Sequence, residues 1–254
     1  MPDPTAIASG ADTDTNPTPT PCPIQLGPTS TSSTSIAYIP LKGAEGFRLT
    51  PAGEGDLDDL VDLYNRPELG KWACRRPYPY TKAHTNFLNI PANAPILTSI
   101  LRTLSLPSTS TNDDDDARKA RASFIFNALR EESTGKVVGM VFIGPSDRTS
   151  TPPGSGSGSG SESGSGSGGL WEVGYDLSPE YWGRGLGRRM VQGALEYAKW
   201  AGVTQVCAFH QPENTASAAL LSKIGFTKHS ERLVEWPKEK GGGKRLCYEC
   251  RIDL

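Results

Sequence analysis

The chain has 254 residues and a formal net charge of −2. This near-neutral charge leaves no polyelectrolyte footprint, so composition does not indicate binding to nucleic acid or to an acidic membrane surface. No apolar run approaches membrane-spanning length, and the N-terminus lacks a basic segment followed by an apolar core. We therefore expect a cytoplasmic protein, with the nucleus as the alternative compartment, and neither a signal peptide nor a transmembrane segment.

The cysteines favour a reducing compartment over a disulfide framework, because there are five and their spacing is irregular. Cys247 and Cys250 form a C-x-x-C pair, but no second cysteine pair or histidine cluster accompanies it. Residues three apart in a strand point to opposite faces, so we expect no metal site there. The acidic run from Asp113 to Asp116 is expected to be a solvated loop.

Two segments have low-complexity composition. Residues 1–44 are rich in Pro, Thr and Ser and have almost no periodic apolar pattern, which predicts a disordered tail. The run GSGSGSGSESGSGSGG predicts a flexible insertion at about residues 146–169. The rest of 45–254 is long enough for one domain, which this insertion interrupts.

The first half of that domain predicts a strand, two helices and a hairpin. The strand ends near Thr50, and apolar residues at helical spacing follow until Pro67 stops them. A second helical pattern follows Pro95. The β-rich runs SFIFNALR and KVVGMVFIG, separated by EESTG, then predict an antiparallel hairpin.

The second half alternates strands and helices. LWEVGYDL predicts a strand, and a helix stopped by Gly202 follows a glycine-rich turn. VTQVCAFH predicts a buried strand, and PENTASAALLSKIGF predicts a capped helix. Two final apolar runs complete a mixed sheet, so the fold class is α/β or α+β.

The glycine-rich turn, EYWGRGLGRRM, combines three glycines and three arginines where a helix begins. Helix-first-turn N–H groups have no intrahelical partner, and together with the helix dipole they form an anion site. Glycine allows a diphosphate to approach these groups, and the anion offsets the unfavourable arginines. The alternative is a tight turn with solvated arginines. A P-loop fits poorly because no Gly-Lys-Ser/Thr follows, and a dinucleotide-binding turn fits poorly as well.

WEVGYDLSPEYWGRGLGRRM followed by PENTASAALLSKIGF resembles the two core motifs of the GNAT superfamily of acetyl-CoA-dependent N-acetyltransferases. It is most similar to the ribosomal-protein N-terminal acetyltransferase-like branch. The family's pyrophosphate motif, Gln/Arg-x-x-Gly-x-Gly/Ala, falls on Trp182, Gly185 and Gly187, and Trp182 departs from it. The resemblance implies one domain with a mixed, mostly antiparallel sheet whose central strands splay apart between helices. It also implies acetyl transfer to a primary amine, either a protein N-terminus or a small amine, with no metal.

The resemblance places acetyl-CoA in the gap between the strands LWEVGYDL and VTQVCAFH. Backbone groups of Tyr175, Asp176 and Leu177 are expected to pair with the pantetheine arm. Asn214 is expected to contact the cofactor near its thiol end, to cap the following helix, or to do both. The residues expected around the pyrophosphate are Trp182, Gly183, Arg184, Gly185, Leu186, Gly187 and Arg188.

The chemistry requires a deprotonated amine and a stabilised leaving thiolate. By resemblance, Glu172 is the candidate base, and a surface-facing glutamate is the alternative. Many relatives have a tyrosine as the acid four residues before the Gly-Phe pair, where this chain has Leu221. Ser217 is the expected substitute, although a serine in a first helical turn often serves only the backbone.

The acceptor side is expected in KWACRRPYPYT, where Trp72, Tyr78 and Tyr80 are candidates to flank an incoming amine or peptide. The alternative is a proline-constrained loop whose aromatic side chains anchor it to the core. Arg75 and Arg76 would favour an acidic acceptor unless both are simply solvated.

Two other functions stay open at this point. The missing tyrosine would suit a weakly catalytic sensor or scaffold that binds acetyl-CoA. A nucleotide-binding module would instead be stabilised by ATP or NAD and not by coenzyme A.

Overall fold

A computed structural model describes residues 20–29, 32–105, 121–146 and 169–254. The strands are β1 (Gln25–Thr29), β2 (Ser32–Pro40), β3 (Phe47–Thr50), β4 (Ala128–Glu131), β5 (Val137–Pro145), β6 (Leu170–Leu177), β7 (Gln205–His210), β8 (Thr227–Glu235) and β9 (Lys244–Asp253). The helices are α1 (Leu57–Tyr64), the short α2 (Pro67–Gly70), α3 (Ile90–Ser105), α4 (Leu186–Trp200) and α5 (Thr215–Ile224).

Over the described residues the strands form one sheet in the order β1-β2-β3-β4-β5-β6-β7-β9-β8. Every neighbouring pair is antiparallel except β6 and β7, which are parallel. That parallel pairing spans only residues 170–172 of β6 and 205–207 of β7. Because both strands continue beyond it, the centre of the sheet opens into a gap. The expectation of a mixed, mostly antiparallel sheet flanked by helices is confirmed.

The two faces of the sheet support separate cores. On one face, α4 buries Met190, Val191 and Ala194 against apolar residues of β2, β3, β5 and β6. On the other, α1 buries Leu60 and Leu63 against residues of β4 and β5. We call these faces the α4 face and the α1 face. Successive residues of a strand point to opposite faces, so β6 contributes side chains to both.

The predicted tail differs from the structure over residues 25–29 and 32–40, which form β1 and β2. Ala37, Ile39 and Leu41 are buried in the core of the α4 face. A Cβ on Gly193 of α4 would lie only 2.8 Å from Leu41 Cδ2. The segment is ordered because these three alternating apolar residues pack in the core beneath α4. Residues 1–19 of the predicted tail lie outside the described residues.

The hairpin predicted around EESTG is confirmed as β4 and β5, and the strand LWEVGYDL is confirmed as β6. The second helix begins earlier than expected, at Ile90, and includes Pro95. The Gly/Ser insertion falls between β5 and β6, and its residues 147–168 lie outside the described residues, as does the acidic run at 113–116. The N–H of Ser146 donates to the carbonyl of Leu170 at 2.9 Å, so the chain leaves and re-enters the sheet at neighbouring positions.

Cys247 and Cys250 both lie on β9 and both are buried. Within the described residues, no three His, Cys, Asp or Glu side chains are grouped as metal ligands. Across the same ranges, no helix combines the length and hydrophobicity needed to cross a bilayer.

Candidate active site

The gap between β6 and β7 presents unpaired backbone from one side of β6. The N–H of Ser146 donates to the carbonyl of Leu170 at one end of the β5–β6 pair, and the N–H of Ser178 donates to the carbonyl of Val138 at the other end. These two bonds fix which residues of β6 direct their backbone groups toward β5. The backbone of Glu172, Gly174 and Asp176 therefore faces β5, and that of Tyr175 and Leu177, beyond the stretch of β6 paired with β7, faces the gap. An extended ligand that enters the gap meets the N–H and C=O groups of Tyr175 as a strand would.

The same alternation corrects one expected contact and limits another. Asp176 is opposite Met140, in a pair whose backbone groups bond across β5 and β6, so its backbone does not face the gap. The carbonyl of Leu177 accepts a hydrogen bond from Trp182 Nε1 at 2.7 Å. Trp182, the residue that departs from the family motif, therefore stabilises the end of β6 with its indole N–H.

The glycine turn has the geometry of an open anion site. Gly183 and Gly185 have φ of 74° and 76°, and a Cβ at either position would meet no atom within 4 Å. Gly185 is the N-cap of α4, and among the described residues no side chain caps this helix. The N–H groups of Leu186, Gly187 and Arg188, which precede the first intrahelical bond from Arg189 to Gly185, are therefore available to an anion.

Gly187 has a different reason to be glycine. It is buried in α4, and a Cβ there would lie 3.0 Å from Leu220 Cδ1 of α5. This glycine lets two helices approach closely, and its expected contact with a diphosphate stays a prediction.

The arginines of the turn are held in different ways. The guanidinium of Arg184 lies 5.4 Å from the ring centre of Phe47 and 5.2 Å from that of Tyr181. Such cation–π contacts are attractive, so they keep the positive charge of Arg184 near the turn. Arg188 is half-buried, and Arg189 extends toward Gln192 and Gly43.

Three polar side chains meet beside the gap on the α4 face. Asn214 is the N-cap of α5, and its Oδ1 accepts from the backbone N–H of Ser217 at 3.1 Å. Ser217 Oγ lies 2.7 Å from the hydroxyl oxygen of Tyr175. Burial is the main cause that raises the pKa of Tyr175 to about 12, and the hydrogen bond to Ser217 acts in the opposite direction. The capping role expected of Asn214 is observed, whereas nothing in the sequence indicated the Tyr175–Ser217 contact.

Glu172 belongs to the opposite, α1 face, together with Gly174 and Asp176. It is the last residue of β6 that pairs with β7, where its partner is Cys207. A Cβ on Gly174 would meet no atom within 4 Å, so space is open above the strand next to Glu172. Burial raises the pKa of Cys207 to about 11, so this neighbour stays a neutral thiol.

The loop that follows α2, around residues 73–76, borders this open space and is held by contacts to β6 and to the turn between β8 and β9. Arg76 forms a largely buried ion pair with Asp176, and its guanidinium lies 4.0 Å from the ring centre of Tyr64. Lys240, from the turn between β8 and β9, donates to the carbonyls of Ala73 and Arg76. The charge of Arg76 is therefore neutralised within the protein and does not favour an acidic acceptor. These partners are far apart in sequence, and no local pattern pointed to them.

The three aromatic residues expected on the acceptor side have different environments. Tyr80 is buried against Tyr64, with ring centres 4.8 Å apart, and its hydroxyl donates to the carbonyl of His84. It anchors the loop to the core and does not face an acceptor, which corrects the expectation. Trp72 is half-buried beside Lys71, and Tyr78 is exposed.

The sequence-family model of the acetyltransferase (GNAT) domain matches residues 47–227 of the chain, which is well over half of its length. The chain belongs to the GNAT acetyltransferase family. The matched range of this GNAT protein includes both edges of the gap, the glycine turn and α5, and it spans the insertion between β5 and β6.

This GNAT protein is similar to another N-acetyltransferase sequence and to solved acetyltransferase structures. It is 35% identical over 71 residues to an uncharacterized N-acetyltransferase, p20, of Bacillus licheniformis, and that match spans 28% of this chain and 39% of the relative. Its fold is similar to that of the ribosomal-protein-S5-alanine acetyltransferase from Vibrio fischeri, with a TM-score of 0.56 and 18% identity over 82% of this chain and 93% of the other. It is also similar to yncA from Salmonella typhimurium with its cofactor acetyl-CoA, with a TM-score of 0.50 and 18% identity over 82% and 92%. The 18% identity to these two structures shows a shared fold and no more.

Proposed function

We propose that this protein is an N-acetyltransferase that transfers the acetyl group of acetyl-CoA to a primary amine, a protein N-terminus or a small amine, by direct attack. The observation that supports this most strongly is the geometry of β6. Its outer backbone edge is open to the gap at Tyr175, and its end leads into the uncapped first turn of α4. One edge can bind an extended amide-containing arm while the turn binds a diphosphate.

Residues present in the gap fit acetyl-CoA, which would supply an activated acetyl thioester. The N–H and C=O of Tyr175 and the N–H of Leu177 would hold the arm, and the N–H groups that follow Gly185 would hold the pyrophosphate. Arg184, whose guanidinium contacts the rings of Phe47 and Tyr181 at the turn, would add positive charge there. The yncA structure, which contains acetyl-CoA in a similar fold, supports this ligand.

Glu172 would accept the proton of the attacking amine. Glu172 lies on the α1 face of β6, where there is open space above Gly174. An α-amino group has an ordinary pKa near 8 and a lysine near 10.4, so deprotonating lysine at neutral pH costs about 3 kcal/mol more. A single carboxylate beside an open space therefore suits a protein N-terminus or another weakly basic amine better than a lysine side chain.

Ser217 would hydrogen-bond to the sulfur that leaves. Leu221, at the position where many relatives have tyrosine, is 1% exposed and packs in the core of the α4 face, so it carries no hydroxyl to the gap. Ser217 is one turn earlier on α5 and lies beside the gap with Tyr175 and Asn214.

The proposal is tested with purified protein, acetyl-CoA and a set of acceptors, measured by release of free thiol and by the mass gain of the acceptor. The matched pair is one peptide with a free N-terminus and the same peptide with a blocked N-terminus and an internal lysine. We expect acetylation of the free peptide or of a small amine in the set. Tight binding of acetyl-CoA without thiol release from any acceptor would contradict the proposal and support the alternative suggested by Leu221, a sensor or scaffold.

A further inference from the structure

The contact between Tyr175 and Ser217 bridges two elements that the gap separates. Tyr175 lies on β6 beyond its last residue paired with β7, and Ser217 lies in the first turn of α5, which follows β7. Their hydroxyl oxygens are 2.7 Å apart, and Tyr175 packs against the core of the α4 face. Asn214 holds the backbone of Ser217 at the same time. The serine is therefore fixed by one partner from the helix cap and by another from the strand.

We propose that Tyr175 is a positioning residue for acetyl transfer: its hydroxyl donates to Ser217 Oγ, so that the hydroxyl proton of Ser217 is directed to the sulfur that leaves. This inference rests on the proposed function and names a residue that acts through Ser217. A serine hydroxyl has a single proton, and it can accept from one partner while it donates to another. When Tyr175 is the donor, the serine keeps its own proton to donate to the sulfur.

The direction of this hydrogen bond follows from the single proton of the serine: when Ser217 donates that proton to the sulfur, its 2.7 Å contact with Tyr175 requires the phenol to be the donor. Burial holds the pKa of Tyr175 at about 12, so its proton is present throughout the neutral range. Cys250 on β9 and Asp176 on β6 are the titratable groups that act on it, and both raise its pKa. The phenol therefore has a proton to donate at neutral pH, and it donates to Ser217 whenever Ser217 donates to the sulfur.

The same value indicates that the phenol orients the serine and does not give up its proton. An ordinary thiol has a pKa near 8.5, about 3.5 units below that of Tyr175, so the equilibrium strongly disfavours proton transfer from Tyr175 to a thiolate. In the reaction the amine nitrogen forms a bond to the acetyl carbon, the carbon–sulfur bond breaks, and the electron pair stays on sulfur. Glu172 takes the amine proton. Ser217 and Tyr175 keep their protons and stabilise the charge on sulfur through a chain of two hydrogen bonds.

The experiment measures the thiol pKa of bound coenzyme A, from the ultraviolet absorbance of its thiolate, together with coenzyme A affinity. The variants are Tyr175→Phe, Ser217→Ala and the double substitution. A hydrogen bond to a charged group stabilises it by about 1.5–3 kcal/mol, so Ser217→Ala should raise the thiol pKa by about one unit or more. Tyr175→Phe should raise it by about half a unit. The double variant should match Ser217→Ala, because the tyrosine acts only through the serine.

Tyr197→Phe is the matched control. Tyr197 is another buried tyrosine, near the far end of α4 from the glycine turn, and its hydroxyl donates to the carbonyl of Ser123 at 3.1 Å. Removing that hydroxyl should leave the thiol pKa unchanged. A Tyr175→Phe protein that binds coenzyme A with the wild-type thiol pKa would overturn the inference. Failure of the wild-type protein to bind coenzyme A would instead overturn the proposed function.

Discussion

Replacing Ile39 with alanine tests whether β2 belongs to the folded domain. Ile39 is fully buried in the core of the α4 face, where a Cβ on Gly193 would lie 3.6 Å from its Cγ2. Truncating a fully buried isoleucine costs about 2–5 kcal/mol, because transfer free energy is lost and a cavity is left. We expect Ile39→Ala to lower the free energy of unfolding by about 3 kcal/mol.

In a domain of this size, 1 kcal/mol corresponds to a Tm change of about 2–4 °C, so Tm should fall by about 6–12 °C. The assay is thermal and urea unfolding followed by circular dichroism. Leu26→Ala is the control, since Leu26 lies on β1, next to β2, and is 62% exposed. Surface substitutions of this kind change stability by about 0.5 kcal/mol or less. If both variants unfold like the wild type, β2 does not pack on α4 and our correction of the predicted tail is wrong.

Three further predictions concern the turn, the candidate base and the α1 face. Arg184→Glu should weaken acetyl-CoA binding about tenfold or more in calorimetry, since it reverses a charge at the pyrophosphate site, whereas Lys199→Glu, the same charge change in the last turn of α4, should have little effect. Glu172→Gln should lower kcat by about 100-fold with coenzyme A affinity unchanged, and a wild-type kcat would remove Glu172 from the reaction. Asp56→Asn should cost about 3 kcal/mol in urea unfolding, because Asp56 holds the largely buried Arg130 through two contacts of 2.8 and 2.7 Å.

Local patterns in the sequence predicted most of the elements and the position of the turn. The alternation in LWEVGYDL and the helical spacing that follows the glycines are properties of neighbouring residues, so β6 and α4 were predictable. Gly183 and Gly185 have left-handed conformations, which glycine adopts without steric cost. Asn214, immediately before a helical pattern, was recognisable as a cap.

The errors concern partners that are distant in the chain. Residues 25–40 have a tail-like composition, yet β2 is ordered by packing on α4, which is more than 140 positions later in the sequence. The expected place of Gly187 beside the pyrophosphate stays a prediction, and no local pattern indicated that a Cβ there would lie 3.0 Å from Leu220 Cδ1. Tyr80 was expected to face an acceptor, and its contact with Tyr64 removes it from the surface.

The sequence by itself determined most of the strands and helices from β3 onward, the glycine turn and the family motif, because each depends on residues that are close together in the chain. Only the tertiary structure decided which backbone groups of β6 face the gap, since that depends on its register with β5 and on where β7 diverges. It alone brought the hydroxyls of Tyr175 and Ser217 together and paired Arg76 with Asp176. Contacts of this kind form only when the sheet assembles, and one sequence contains no local signal for them.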